Sequence, residues 1–231
     1  MSAREDILSA IRVRRRRSVP PPPTWHPPPQ SKSSVEHFAE RAGAAAAQVK
    51  QLAGAVEIPA AIAELLRARN MPAIVHLPPD RALDGMAWSN APGLTLKREA
   101  PGPDDAALAM APFGIAETGT LVYPASPSRP ASWHFRAGLE IAVIGADCIG
   151  SNLESVLARI KASGALPSTV NLVTGPSRTG DIEQTLELGA HGAKELVIFI
   201  VPLHFGFPPC PLLPRSHVGV RGGIANSDTT Y

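Results

Sequence analysis

Cysteine, aromatic residues and net charge are all scarce in this chain, and each scarcity excludes something. The 231 residues include two cysteines, Cys148 and Cys210. They form no C-x-x-C pair, so a disulfide framework, a four-cysteine zinc site and an iron–sulfur cluster on this chain are excluded. The seven histidines show no H-E-x-x-H motif, and no metal is expected. Aromatic residues are 5% of the total, so the core must be built from Ala, Val, Ile and Leu. The formal net charge of +2 is too near neutral for the whole surface to act as a polyanion binder. No run of 18 apolar residues occurs, so no membrane span is expected. Arg4, Glu5 and Asp6 open the chain where a secretory signal would need an apolar core, and a cytoplasmic location is the expectation.

Hydrophobic residues make up 44%, enough to bury the core of one sizeable α/β domain or two small ones. Three stretches differ in character. Residues 1–33 read as a helix over 2–17 followed by a proline-rich linker. Ser2 with Glu5 fits a capping box, and Ile7, Leu8 and Ile11 make a short apolar stripe. Arg12, Arg14, Arg15, Arg16 and Arg17 suit a solvated helix end, and equally offer the chain's one basic run for a nucleic acid or anionic surface. Residues 34–201 carry regular elements. Residues 202–231 hold prolines and glycines without periodicity and read as an irregular tail.

Within the middle stretch, the Ala-rich pattern predicts a helix over 35–52, a short strand at 55–58 and a helix from Pro59 to Arg69. Strands are predicted at 73–77 and 94–97, with a short helix opened by Asp104 and Asp105 through Met110. Strands follow at 119–123, 140–145, 169–174 and 195–201. Helices separate the later strands, one capped by Ser151 with Glu154 and one over 181–188. Strand, helix, strand in alternation, with the apolar run ELVIFIV at 195–201, predicts an open, mostly parallel sheet with helices on both faces.

Two segments could carry chemistry. NLVTGPSRTGDIE, residues 171–183, reads as strand, polar turn and helix start. Such a turn presents backbone N–H groups at the carboxyl end of a parallel strand, where open α/β sheets bind ligands. Thr174, Ser177 and Thr179 add hydroxyls, Gly175 lets the backbone approach closely, and Arg178 offers a planar donor for a carboxylate or phosphate. Asp181 opens the predicted helix, and it stands with Ile182 where a Walker A loop requires Lys and Ser/Thr. The other reading is purely local, with Ser177 and Thr179 capping and Arg178 pairing with Asp181 or Glu183. The second segment is Glu117, Thr118, Gly119 and Thr120. It offers a carboxylate as base beside two hydroxyls, or a turn that satisfies its own backbone. His191 follows the predicted helix and can cap it or contact a ligand.

FGIAETGTLV (residues 113–122) and NLVTGPSRTGDIEQTLELGAHGAKEL (residues 171–196) resemble two segments of LutC/YkgG-like lactate-utilisation proteins of the LUD-domain family. The resemblance extends over residues 3–201. It departs at 128–140, where PASWHFRAGLE follows Arg129, at Gly180 for the family's Ala and at Ala193 for its Pro. The resemblance implies a fold similar to the sugar-phosphate isomerase and CoA-transferase-like α/β proteins. It also implies a non-redox subunit supporting oxidation of L-lactate to pyruvate, with iron–sulfur clusters carried by partner subunits, the chain either binding a small carboxylate or other anionic ligand or helping to assemble those partners. It hands over no catalytic residue. A free-standing isomerase or transferase with Glu117 as base or nucleophile, and a nucleic-acid-associated regulator using the arginine run, are the competing expectations.

Overall fold

A computed structural model of the chain describes residues 3–14, 33–130, 132–164, 167–180, 186–188 and 192–202. Helix α1 (Ala3–Arg14) has Glu5 and Asp6 in its first turn, where they complement the helix dipole. Residues 3–13 are all exposed, so the stripe of Ile7, Leu8 and Ile11 faces solvent. The arginines from 15 onward, the proline linker up to residue 32 and the tail from residue 203 lie outside the described residues.

Helix α2 (Ser34–Ala44) starts at a capping box: the Ser33 hydroxyl accepts from the Glu36 amide, and the Glu36 carboxylate accepts from the Ser33 amide. It does not run on to residue 52 as its alanines suggest. Ala46 turns into the left-handed region at φ 67°, and Gln48–Gln51 become strand β1. Parallel pairing with a neighbouring strand overrides the helix propensity here. The predicted strand at 55–58 is likewise a 3-10 turn, Ala55–Glu57, leading into α3 (Ile58–Ala68) with Pro59 in the first turn.

Strands β2 (Ile74–His76), β3 (Thr95–Lys97) and β4 (Ala106–Ala111) follow. Residues 106–110, predicted as helix, lie in a central strand instead. The run AALAMA is buried at every position, and its small side chains let layers approach closely on both faces. Next come β5 (Phe113–Ile115), β6 (Thr120–Pro124), the short α4 (Ser132–Arg136), β7 (Leu139–Gly145) and β8 (Ile149–Gly150). Helix α5 (Leu153–Ala162) is capped by Asn152 with Ser155, one residue later than the Ser151–Glu154 pair predicts. The chain continues through β9 (Val170–Val173), β10 (Arg178–Gly180), β11 (Leu186–Leu188) and β12 (Glu195–Val201). The helix predicted over 181–188 is not formed at its end: Leu186–Leu188 pair antiparallel with Arg178–Gly180.

Six strands form one parallel sheet in the order β1-β12-β7-β4-β2-β3. The fold is α/β with a mostly parallel sheet. A second sheet, β8-β5-β6-β9, is largely antiparallel. The strands at 119–123 and 169–174, predicted for the parallel sheet, belong to this one. Alternate residues of the central strands feed two cores. Leu196, Ile198, Ile200, Ala142 and Ile144 pack against α2, α5 and the smaller sheet through Phe38, Leu121 and Val156. Val197, Phe199, Ile141, Val143 and Leu108 pack against α3 through Ile58, Ile62 and Leu66. Each fully buried leucine or isoleucine among them contributes about 1.5–3 kcal/mol.

Candidate functional site

The two motifs meet at the end of α2. Gly119, between β5 and β6, has φ +67°, and a Cβ there would lie 2.1 Å from the Ala42 amide nitrogen. Gly175, after β9, has φ +72°, and its Cβ would lie 2.0 Å from the Ala45 carbonyl oxygen. Only glycine tolerates both the left-handed backbone and such contacts. A hydroxyl chain joins the motifs: Thr118 Oγ1 is 2.6 Å from Thr120 Oγ1, which is 2.7 Å from Thr174 Oγ1. The Ser177 amide then donates to the Ala193 carbonyl at 2.8 Å, which ties the turn to the chain entering β12.

Beside this junction lies a cleft of about 470 Å³. The 174–178 turn forms one wall, with Thr174, Gly175, Ser177 and Arg178 among the lining residues. Glu117 and Thr118 are exposed in the neighbouring turn, and neither they nor Gly119 and Thr120 line the cleft. Thr179 lies in β10, while Asp181 and His191 fall outside the described residues. The cleft opens at the amino ends of the parallel strands, not the carboxyl ends that the strand-turn-helix pattern predicts. Ala45 precedes β1, Glu140 is the second residue of β7, and Ala193 precedes β12. The reversal follows from β9 belonging to the antiparallel sheet.

The cleft is also lined by residues that motif reading passed over. Glu140 and His134, 1% and 3% exposed, both line it. Glu140 lies on the face of β7 that meets the smaller sheet, opposite Ala107 and Leu196 on the flanking strands. Its Oε1 accepts from the Tyr123 hydroxyl at 3.0 Å and contacts His134 Nδ1 at 2.9 Å. The Tyr123 and His134 rings stack with centroids 3.7 Å apart. His134 comes from α4, whose neighbour Trp133 is buried against Ala107 and Ala137. Burial, and after it the charge and hydrogen bond of Glu140, hold the Tyr123 hydroxyl well above the ordinary tyrosine pKa. Two atoms of the cluster, His134 Nε2 and Glu140 Oε2, are buried with no hydrogen-bond partner among the described residues. Buried polar atoms are almost always partnered, so these two, like a few others in the described residues, call for a water, an ion or a ligand. The sequence signal was available: Glu140 is the one charge in LEIAVIG, a strand otherwise apolar and buried on both faces. Among the described residues, no group of three or more His, Cys, Asp or Glu side chains could hold a metal ion.

The LUD domain family model matches residues 35–201. The chain belongs to this family. Among curated proteins it is similar to an uncharacterised protein of Neisseria meningitidis serogroup B, with 34% identity over 102 residues, 43% of this chain and 44% of that protein. It is also similar to the lactate utilization protein C of Bacillus licheniformis, with 33% identity over 91 residues, 38% of each chain. The protein of the same name from Halalkalibacterium halodurans shows 28% identity over 118 residues, 49% of this chain and 51% of that one. The matched region therefore spans about half or less of these relatives. A crystal structure of a DUF162 family protein from Deinococcus radiodurans shares the fold, with a TM-score of 0.54 at 20% identity over 75% of this chain and 99% of that one. No helix among the described residues is long and apolar enough to cross a membrane.

Proposed function

We propose that this chain is a non-redox component of a lactate-utilisation system, and that its cleft binds a small carboxylate. The observation that carries the reading is the composition of the cleft: Arg178 and the 174–178 turn line it together with the buried Glu140–His134 pair. A guanidinium with the Ser177 hydroxyl suits a carboxylate, while the Glu140 charge disfavours a second anion beside it. The volume exceeds what a three-carbon acid needs, which leaves room for a bound acid and part of a partner. The name lactate utilization protein C, borne by relatives from several bacteria, supports the pathway. Iron–sulfur subunits, as partners, would carry the electrons that oxidation of L-lactate to pyruvate releases.

Growth on L-lactate as sole carbon source tests this. A strain lacking this gene and every other lactate dehydrogenase is expected not to grow, and wild type is expected to restore it. Arg178→Ala, at normal protein level, is expected to restore growth poorly. Normal growth of the deletion strain would remove lactate utilisation as the function.

A further inference from the structure

The cleft is larger than a three-carbon acid, and part of its lining is apolar. At about 470 Å³ it falls in the range of pockets that enclose much bigger ligands. Phe135 and Leu172 both line it, and both are exposed large hydrophobic side chains, 44% and 51% accessible. Val173 and Pro176 extend that lining. The Phe135 ring meets the His134 ring edge-on, with centroids 6.3 Å apart and planes at 80°. Its other neighbour in α4, Trp133, is buried and anchors the short helix. Gly192 brings this ring next to the polar turn. A Cβ on Gly192 would lie 3.4 Å from Ser177 Oγ and 3.8 Å from Phe135 Cδ1. A single glycine therefore separates an exposed aromatic ring from the hydroxyl that, with Arg178, suits a carboxylate. Small-molecule sites are commonly built this way: apolar side chains hold the body of the ligand, and a few polar groups fix its orientation.

We propose that Phe135 and Leu172 form an apolar subsite beside the carboxylate position, so that the cleft takes monocarboxylates carrying an aromatic ring a few carbons from the acid. This rests on the carboxylate reading of Arg178 and the 174–178 turn, and extends the ligand beyond three carbons. A ring set against Phe135 gains an offset or edge contact between aromatic planes, and Leu172 adds aliphatic cover. The ligand carries one acid group, because Glu140 also lines the cleft and disfavours a second anion.

The test is direct binding of propionate, 3-phenylpropionate and the uncharged 3-phenylpropanamide to the full-length chain at pH 8, by calorimetry or ligand-observed NMR. 3-Phenylpropionate is expected to bind at least about tenfold more tightly than propionate, because its ring leaves water for an apolar surface. It is also expected to bind at least about tenfold more tightly than the amide, which lacks the charge for Arg178. Phe135→Ala is expected to remove most of the gain over propionate, and Phe135→Tyr, which keeps the ring, to retain it. Circular dichroism checks that the variants fold, and the wild-type series decides the matter if they do not. Equal affinity for propionate and 3-phenylpropionate, weakened by Arg178→Ala, would leave the carboxylate reading standing and overturn this inference. A ring preference that survives Phe135→Ala would overturn it too. Acid and amide binding alike would mark a bare apolar patch and overturn both readings, as would binding of none.

Discussion

Gly119 and Gly175 show how a residue without a side chain can shape a site. Each occupies a left-handed backbone position and each would drive a Cβ into the backbone at the end of α2. Gly119→Ala is expected to destabilise the fold by about 2 kcal/mol or more, from strain and displacement together. Gly43 is the control: it lies inside α2 with nothing within 4 Å of a Cβ, so Gly43→Ala is expected to stabilise by about 0.5–1 kcal/mol. Urea denaturation midpoints separate the two, and equal midpoints would contradict the close packing of the motifs. Tyr123 gives a spectroscopic prediction. The chain has two tyrosines, and the one at 231 lies outside the described residues. Tyr123 keeps its proton in the fold at pH values where an unfolded chain has released it, because its folded pKa is raised. Its contribution is fully present below about pH 10 and is lost as pH rises from there through the folded value. Tyrosinate absorbance near pH 11 is expected to report at most one of the two tyrosines until the protein unfolds, and Tyr123→Phe is expected to leave that early phase unchanged. Both tyrosines titrating together near pH 10 would contradict the buried contact with Glu140.

At the scale of elements, the tie between the two sheets has a buried charge in it. Asp80, after β2, is 6% exposed; its Oδ1 accepts from the Ala82 amide, and its Oδ2 accepts from Arg129 Nε at 2.7 Å. Arg129 sits in the loop after β6, so the pair links the smaller sheet to the parallel one. Removing one partner of a buried pair leaves an uncompensated charge. Arg129→Ala is expected to cost about 2–3 kcal/mol in thermal or chemical unfolding, and a loss under about 0.5 kcal/mol would mean the carboxylate finds water instead. The elements also show what a linear reading can reach. The strand at 195–201 and the helix from Pro59 were legible because an unbroken apolar run and a proline at a helix start are local signals. The AALAMA strand and the break after Ala44 were not. Alanine favours helix locally, and only pairing with β7, β2 and β12 makes these segments extended. The same limit governed the site. The Thr174, Gly175, Ser177 and Arg178 cluster was visible as a polar turn, whereas its meeting with Glu140 and His134 depends on β9 joining the antiparallel sheet.

For the whole molecule, the parallel sheet presents two ends and the proposed site uses the less usual one. Open α/β sheets generally bind ligands outside the carboxyl ends of their strands. Here that end carries the 3-10 turn Ala146–Cys148 after β7, while the polar cleft lies at the amino ends. Which end works is therefore the central claim. The most direct measurement is an amide NMR titration of the isotope-labelled full-length chain with L-lactate. Chemical-shift changes are expected at Gly175, Ser177, Arg178, Gly192 and Ala193, with His134 ring signals moving alongside them. Changes confined to residues 145–148 and their neighbours, with the amino-end cleft silent, would contradict the assignment and return the site to the carboxyl end of the sheet.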